Sequence, residues 1–75
     1  MFYFLNSNVK FLRKKAGYTM PQLAKLLDIS LSGLSNFEGG QSGTTLKTLD
    51  KLHTIFNISL DDLIYKDLSK EKESE

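Results

Sequence analysis

The apolar positions of this chain fall in short clusters at helical spacing, separated by residues that end helices. Val9 and Leu12, three apart, predict a first helix over 8–15, capped by Asn6 or Ser7 and stopped at Gly17, a residue suited to a left-handed terminal position. Thr19 followed three residues later by Gln22 spells a capping box, and Pro21 sits in the first turn, where its missing N–H costs nothing. This second helix turns Leu23, Ala24 and Leu27 inward and ends near Asp28. Ser30 caps a third helix from Leu31 to Glu38, which Gly39 and Gly40 terminate. Residues 40–44 form a loop by composition. Thr44 or Thr45 then caps a fourth helix running to Phe56, with Leu46, Leu49, Leu52, Ile55 and Phe56 at core spacing. Ser59 with Asp62 opens a short fifth helix through about Tyr65. The expected fold is all-α and five-helical, built on residues 8–65. An apolar N-terminal arm occupies 1–7, and a charged C-terminal tail, 66–75, is expected to fray.

Composition narrows the class of function. Forty per cent of the 75 residues are hydrophobic and 25% charged, the balance of one small globular domain. A chain of this size buries only about 60% of the surface it exposes when unfolded. There are no cysteines and one histidine, His53, so neither a disulfide nor a thiolate or imidazole metal cluster is expected, and no cofactor is implied. A lone mid-helix histidine reads as structural. The longest apolar run, Phe2 to Leu5, is far short of the roughly 18 residues a membrane span needs, and it lacks the features of a signal peptide. Cytoplasm is the expected compartment. An enzyme is not expected, because no nucleophile–base pair can be assembled and a preorganised deep pocket is hard to build at this length.

The charge of +1 hides an asymmetry. Residues 1–27 carry Lys10, Arg13, Lys14, Lys15 and Lys25 and no acid, whereas residues 28–75 set five lysines against nine acids. A basic amino-terminal half on a near-neutral chain suggests a local anionic partner; alternatively, Lys14 and Lys15 solvate a helix end and complement its dipole.

The informative spacing lies between helices two and three. Only Asp28-Ile29-Ser30 separates them, and so short a link, with Ile29 as an inward anchor, makes two helices cross steeply as in a helix-turn-helix. The third helix, at about 1.5 Å per residue, is about 12 Å long, a match for a DNA major groove about 12 Å wide. Leu34 and Phe37 must face the core. Leu31, Ser32, Ser35 and Asn36 then face outward, short and polar apart from the leucine, which suits close approach to a polyanion.

These residues resemble the phage repressor/Cro-type (XRE-like) helix-turn-helix family. The likeness runs from Leu12-Arg13-Lys14-Lys15-Ala16-Gly17-Tyr18-Thr19 through Gln22-Leu23-Ala24-Lys25-Leu26-Leu27 and Ile29-Ser30. It continues in Leu34-Ser35-Asn36-Phe37-Glu38 and Gly40, and closes with Leu46-Lys47-Thr48-Leu49 and residues 56–63. It implies a lambda-repressor-like domain whose third helix enters the major groove of operator DNA, usually as a homodimer, without enzymatic activity. By position, Thr19 and Gln22 match a phosphate-contacting helix N-terminus, consistent with the anion preference of such ends. Ser30, Leu31, Ser32, Ser35 and Asn36 match the recognition surface, and Gln41, Ser42 and Thr44 the loop bordering the phosphate backbone. Asn36 is a candidate for bidentate contact to adenine. Leu31 either touches a thymine methyl or is a partly exposed packing residue. The resemblance also implies a partly buried ion pair between Arg13 and Glu38; the other reading is two solvated surface charges.

The leading expectation is a repressor-like transcriptional regulator that binds double-stranded DNA as a homodimer on an inverted repeat. No membrane partner or small-molecule ligand is expected, since nothing here makes a second, ligand-sensing domain. The apolar arm either packs back on helices four and five or pairs with its copy in a dimer. The alternative function is an antitoxin-like protein-interaction module, favoured by Met20, Leu31 and Gly33, where the family carries more polar or larger side chains.

Overall fold

Four of the helices begin at hydroxyl-bearing caps, and three end at residues in the left-handed conformation. The computed structural model describes residues 4–73, and side chains through residue 70. Six helices follow in order among the described residues: α1 Leu5–Ala16, α2 Met20–Leu27, α3 Leu31–Glu38, α4 Leu46–Phe56, α5 Leu60–Tyr65 and α6 Leu68–Glu73. Thr19, Ser30, Thr45 and Ser59 each accept a hydrogen bond from the backbone N–H three residues on, at 3.0–3.2 Å. In α2 the box is complete, because the Thr19 N–H also donates to Gln22 Oε1 at 2.8 Å.

Three of the C-termini share one closure. Gly17, Asp28 and Asn57 adopt φ of 83°, 59° and 52°. The following residue then donates its N–H back five positions, Tyr18 to Arg13 O, Ile29 to Ala24 O and Ile58 to His53 O. Tyr18, Ile29 and Ile58 all pack on the core, the hydrophobic contact that accompanies this closure. Asp and Asn are the non-glycine residues that enter this region most readily. A Cβ at Gly17 would meet nothing within 4 Å, so Gly17→Ala tests the backbone penalty alone. We expect a loss of about 1 kcal/mol, the cost of a left-handed alanine, in urea denaturation; an unchanged midpoint would show that this turn can reset without cost.

The core is a cluster of Leu5, Val9, Leu23, Ala24, Leu27, Leu34, Phe37, Leu52 and Leu63, every one at most 4% exposed. Tyr18 and Phe56 meet edge to face at 6.3 Å between ring centroids, so the α1–α2 turn is held against the end of α4. Leu46, which the spacing placed in the core, is 82% exposed. It occupies the first helical position of α4, and the buried stripe passes instead through Thr48 and Leu52, with Leu49, Ile55 and Phe56 at its flanks.

Both ends of the chain depart from the sequence expectation. α1 begins at Leu5, so residues 5–7 of the expected arm are helical; Phe2 and Tyr3 lie outside the described residues. Phe4 is the cap residue, without a side-chain cap, and its N–H donates to Ile64 O at 3.0 Å. Neither Asn6 nor Ser7 caps the helix, because Asn6 Nδ2 donates to Phe37 O at 2.6 Å and Ser7 Oγ to Phe4 O at 3.1 Å. At the other end, 68–73 form a sixth helix rather than a fraying tail. Leu68 is buried against the core, its N–H donates to Asn8 Oδ1 at 3.1 Å, and Ser69 Oγ donates to Asp67 Oδ1 at 2.8 Å ahead of it. His53 serves the α4–α5 turn through Nδ1, 3.2 Å from Ile58 O.

Candidate nucleic-acid interface

α3 is positioned by three independent attachments. Its buried side, Leu34 and Phe37, enters the core. Its start follows α2 after the left-handed Asp28, and Ser30 Oγ accepts from Gly33 N at 3.0 Å. A Cβ at Gly33 would stand 3.0 Å from that same hydroxyl, which gives a local reason for glycine inside a helix where it otherwise costs about 1 kcal/mol. Its end is fixed by Glu38. Arg13 Nε donates to Glu38 Oε2 at 2.8 Å and Nη2 to Oε1 at 3.2 Å, while Nη1 donates to the Tyr18 carbonyl at 3.0 Å. The side chains are 8% and 2% exposed, so this fork-on-fork pair is sealed from water.

The outer side of α3 is left to Leu31, Ser32, Ser35 and Asn36, all exposed. Ser30 is exposed too, but its hydroxyl is engaged as a cap and lies 3.4 Å from Ser32 Oγ. With Glu38 turned inward, no carboxylate stands on the outer face of α3. Beyond it, Gly40 at φ 80° turns the chain and Gln41 N donates to Asn36 O at 2.9 Å. Gln41 and Ser42 are exposed, and Thr44 is half-buried. Thr19 and Gln22 are exposed at the start of α2 but bonded to each other through the capping box. Each keeps a free donor, the Thr19 hydroxyl proton and the Gln22 Nε2, for an anion at the helix end.

No lysine or arginine lies on α3 itself; exposed cations stand on the other helices. Lys14 and Lys15 are exposed in the last turn of α1, with Lys15 Nζ 5.9 Å from the Phe11 ring centre. Lys25 is exposed on α2 and Lys47 on α4, and Lys51 Nζ reaches the Leu27 carbonyl at 3.4 Å.

The sequence reading takes Asn6 for a cap and gives Asn8 no role, yet these two asparagines fasten α1. Asn6 ties it to the end of α3, and Asn8, 1% exposed, donates to Leu63 O at 2.8 Å and Lys66 O at 2.6 Å. The available signal was an asparagine between Leu5 and Val9 on a core-facing turn, since a buried amide must find partners.

Two helices joined by a three-residue turn, the second pinned at both ends with a short polar face outward, define a helix-turn-helix domain. The chain belongs to the helix-turn-helix family, whose model matches residues 9–63. It is 39% identical over 72 residues to the HTH-type transcriptional regulator ImmR of Bacillus subtilis, covering 95% of this chain and 57% of ImmR. Over 52 residues it is 42% identical to the competence pilus inhibition repressor of Acinetobacter baylyi, covering 69% of this chain and 47% of that protein. The chain thus spans about half the length of these relatives. The N-terminal DNA-binding domain of SinR from Bacillus subtilis shares the fold, with a TM-score of 0.71 at 24% identity over 80% of this chain and 88% of that one.

Proposed function

We propose that this protein is a sequence-specific DNA-binding transcriptional regulator of the repressor kind, acting by binding rather than catalysis. α3 enters the major groove of double-stranded DNA. The observation that carries this reading is the outer face of α3: Leu31, Ser32, Ser35 and Asn36 exposed, with the helix's acid drawn inward onto Arg13. Short side chains bring the helix backbone close to base edges, and Thr19, Gln22, Gln41, Ser42 and Thr44 supply donors for the flanking phosphates. Lys14, Lys15, Lys25 and Lys47 add the sequence-independent attraction that makes such binding salt-dependent. The family and the regulators that the chain resembles support the same reading.

The active form in this proposal is a homodimer on an inverted repeat. Phe4, Leu60 and Tyr65 are large apolar side chains exposed around α5, and a second copy covers them. Two-fold symmetry then sets half-sites about one helical turn, roughly 10 base pairs, apart. Selection from a pool of random duplexes tests this. We expect enrichment of an inverted repeat, binding that falls steeply between low and moderate salt, and weakening of about fivefold or more in Asn36→Ala, the low end for one bidentate base contact. Failure to enrich any sequence would move the function to the protein-interaction module.

A further inference from the structure

We propose that α3 reads A·T pairs, with Asn36 on an adenine and Leu31 against a thymine methyl group, and that guanine is not among the bases it specifies. This deepens the regulator reading and rests on it. Guanine is specified in the major groove by arginine or lysine donating to O6 and N7 together. No lysine or arginine occurs between Lys25 and Lys47, a stretch that holds the whole of α3 and the loop after it. Cytosine is specified by a carboxylate accepting from N4. Glu38, the acid of α3, is spent on Arg13 with its side chain 2% exposed, and Asp28 lies ahead of the α3 cap, in the turn.

The outer face of α3 holds two serines, Asn36 and Leu31. A serine hydroxyl pairs with either base and discriminates weakly. The Asn36 amide presents a donor and an acceptor side by side, the complement of adenine N7 and N6, and it is exposed without a partner of its own. Leu31 is the first residue of α3 and 50% exposed. The N-terminal residues of a recognition helix reach base edges first, which places Leu31 there, with Asn36 in the turn after it, and the thymine C5 methyl is the apolar group that a base edge offers in the major groove. Ser32 beside it and Ser35 one turn on are too short to hold the leucine away from that methyl.

The duplex enriched by selection gives the test. Each thymine is replaced in turn by uracil, which deletes the methyl alone, and each adenine by 7-deazaadenine, which deletes the N7 acceptor alone. One uracil position should weaken the wild type about fourfold, the fold-change of one buried carbon at about 0.8 kcal/mol, and leave Leu31→Ala unaffected. One 7-deazaadenine position should weaken the wild type about fivefold or more and leave Asn36→Ala unaffected. Both substitutions lie at exposed positions, and an unchanged thermal midpoint confirms that the variants fold. An enriched site whose sensitive positions are G·C pairs, or at which uracil is silent, overturns the A·T readout while the regulator stands. No enriched site overturns both.

Discussion

Replacing Glu38 by glutamine is expected to lower the stability of this domain by about 3 kcal/mol, the low end for breaking a buried ion pair. Glutamine keeps the shape and one acceptor but leaves the guanidinium of Arg13, a side chain only 8% exposed, without a counter-charge. A domain of this length has roughly 0.05–0.15 kcal/mol of stability per residue, so the loss is a large share of the total. At about 4–8 °C per kcal/mol for small domains, the thermal midpoint should fall by more than 10 °C. The pair itself need not be what stabilises the fold, since apolar replacement of both partners is often neutral or better. Arg13→Met with Glu38→Leu should therefore recover most of the loss, and the single changes should be far from additive. A midpoint that does not move in Glu38→Gln would mean that water reaches the pair and that it is worth under about 1 kcal/mol, as surface pairs are.

The Arg13–Glu38 pair sets the orientation of α3 as well as its stability. Glu38 is the last residue of α3, and Arg13 lies on α1. The fork geometry fixes an angle as well as a distance, so a glutamine variant that still folds should hold its outer face less firmly.

The parts of the fold written in local chemistry were legible from the sequence. α2 and α3 could be bounded within a residue, because the Thr19–Gln22 box, the Ser30 cap and the turn at 28–30 each act over three or four positions. The surface position of Leu31, Ser32, Ser35 and Asn36 followed from putting Leu34 and Phe37 inside. What escaped depended on distant partners. Asn6 looks like a cap residue and Asn8 like an ordinary first-turn residue until their acceptors are known, and those acceptors lie 31 to 58 positions away. α6 was hidden by its charges; Leu68 is a single apolar residue among them, and its burial depends on the place that α1 leaves for it. Leu46 misled because its i+3 spacing to Leu49 also fits a core stripe, and only the packing of Thr48 fixes the rotation of α4.

Asn8 carries the other large effect. Its amide donates to Leu63 O and Lys66 O, and its carbonyl accepts from Leu68 N at 3.1 Å, all with the residue 1% exposed. α5 and α6 have six residues each, far below the roughly 12–15 at which an isolated helix becomes even marginal. They persist because they are held to α1, by Leu63 and Leu68 in the core and by this one amide. Asn8→Leu has a similar volume but removes the donor to Leu63 O and Lys66 O and the acceptor of Leu68 N, each such loss costing about 1–3 kcal/mol where the group is kept from water. The full sum will not appear, since α6 can lift and let water in. We expect a loss of about 2–4 kcal/mol, with amide exchange at Leu68 accelerated beyond what global unfolding explains. Asn8→Asp keeps the acceptor for Leu68 N but sets a carboxylate against two carbonyls, so it should not rescue. Retained protection at Leu68 in Asn8→Leu would show that burial of Leu68 alone holds α6. If protection is lost but the affinity for the selected duplex is kept, the amide closes the C-terminal end of the domain independently of α3. A parallel loss of DNA binding would instead mean that α1, which also carries Arg13 and Asn6, transmits the slackening to the end of α3.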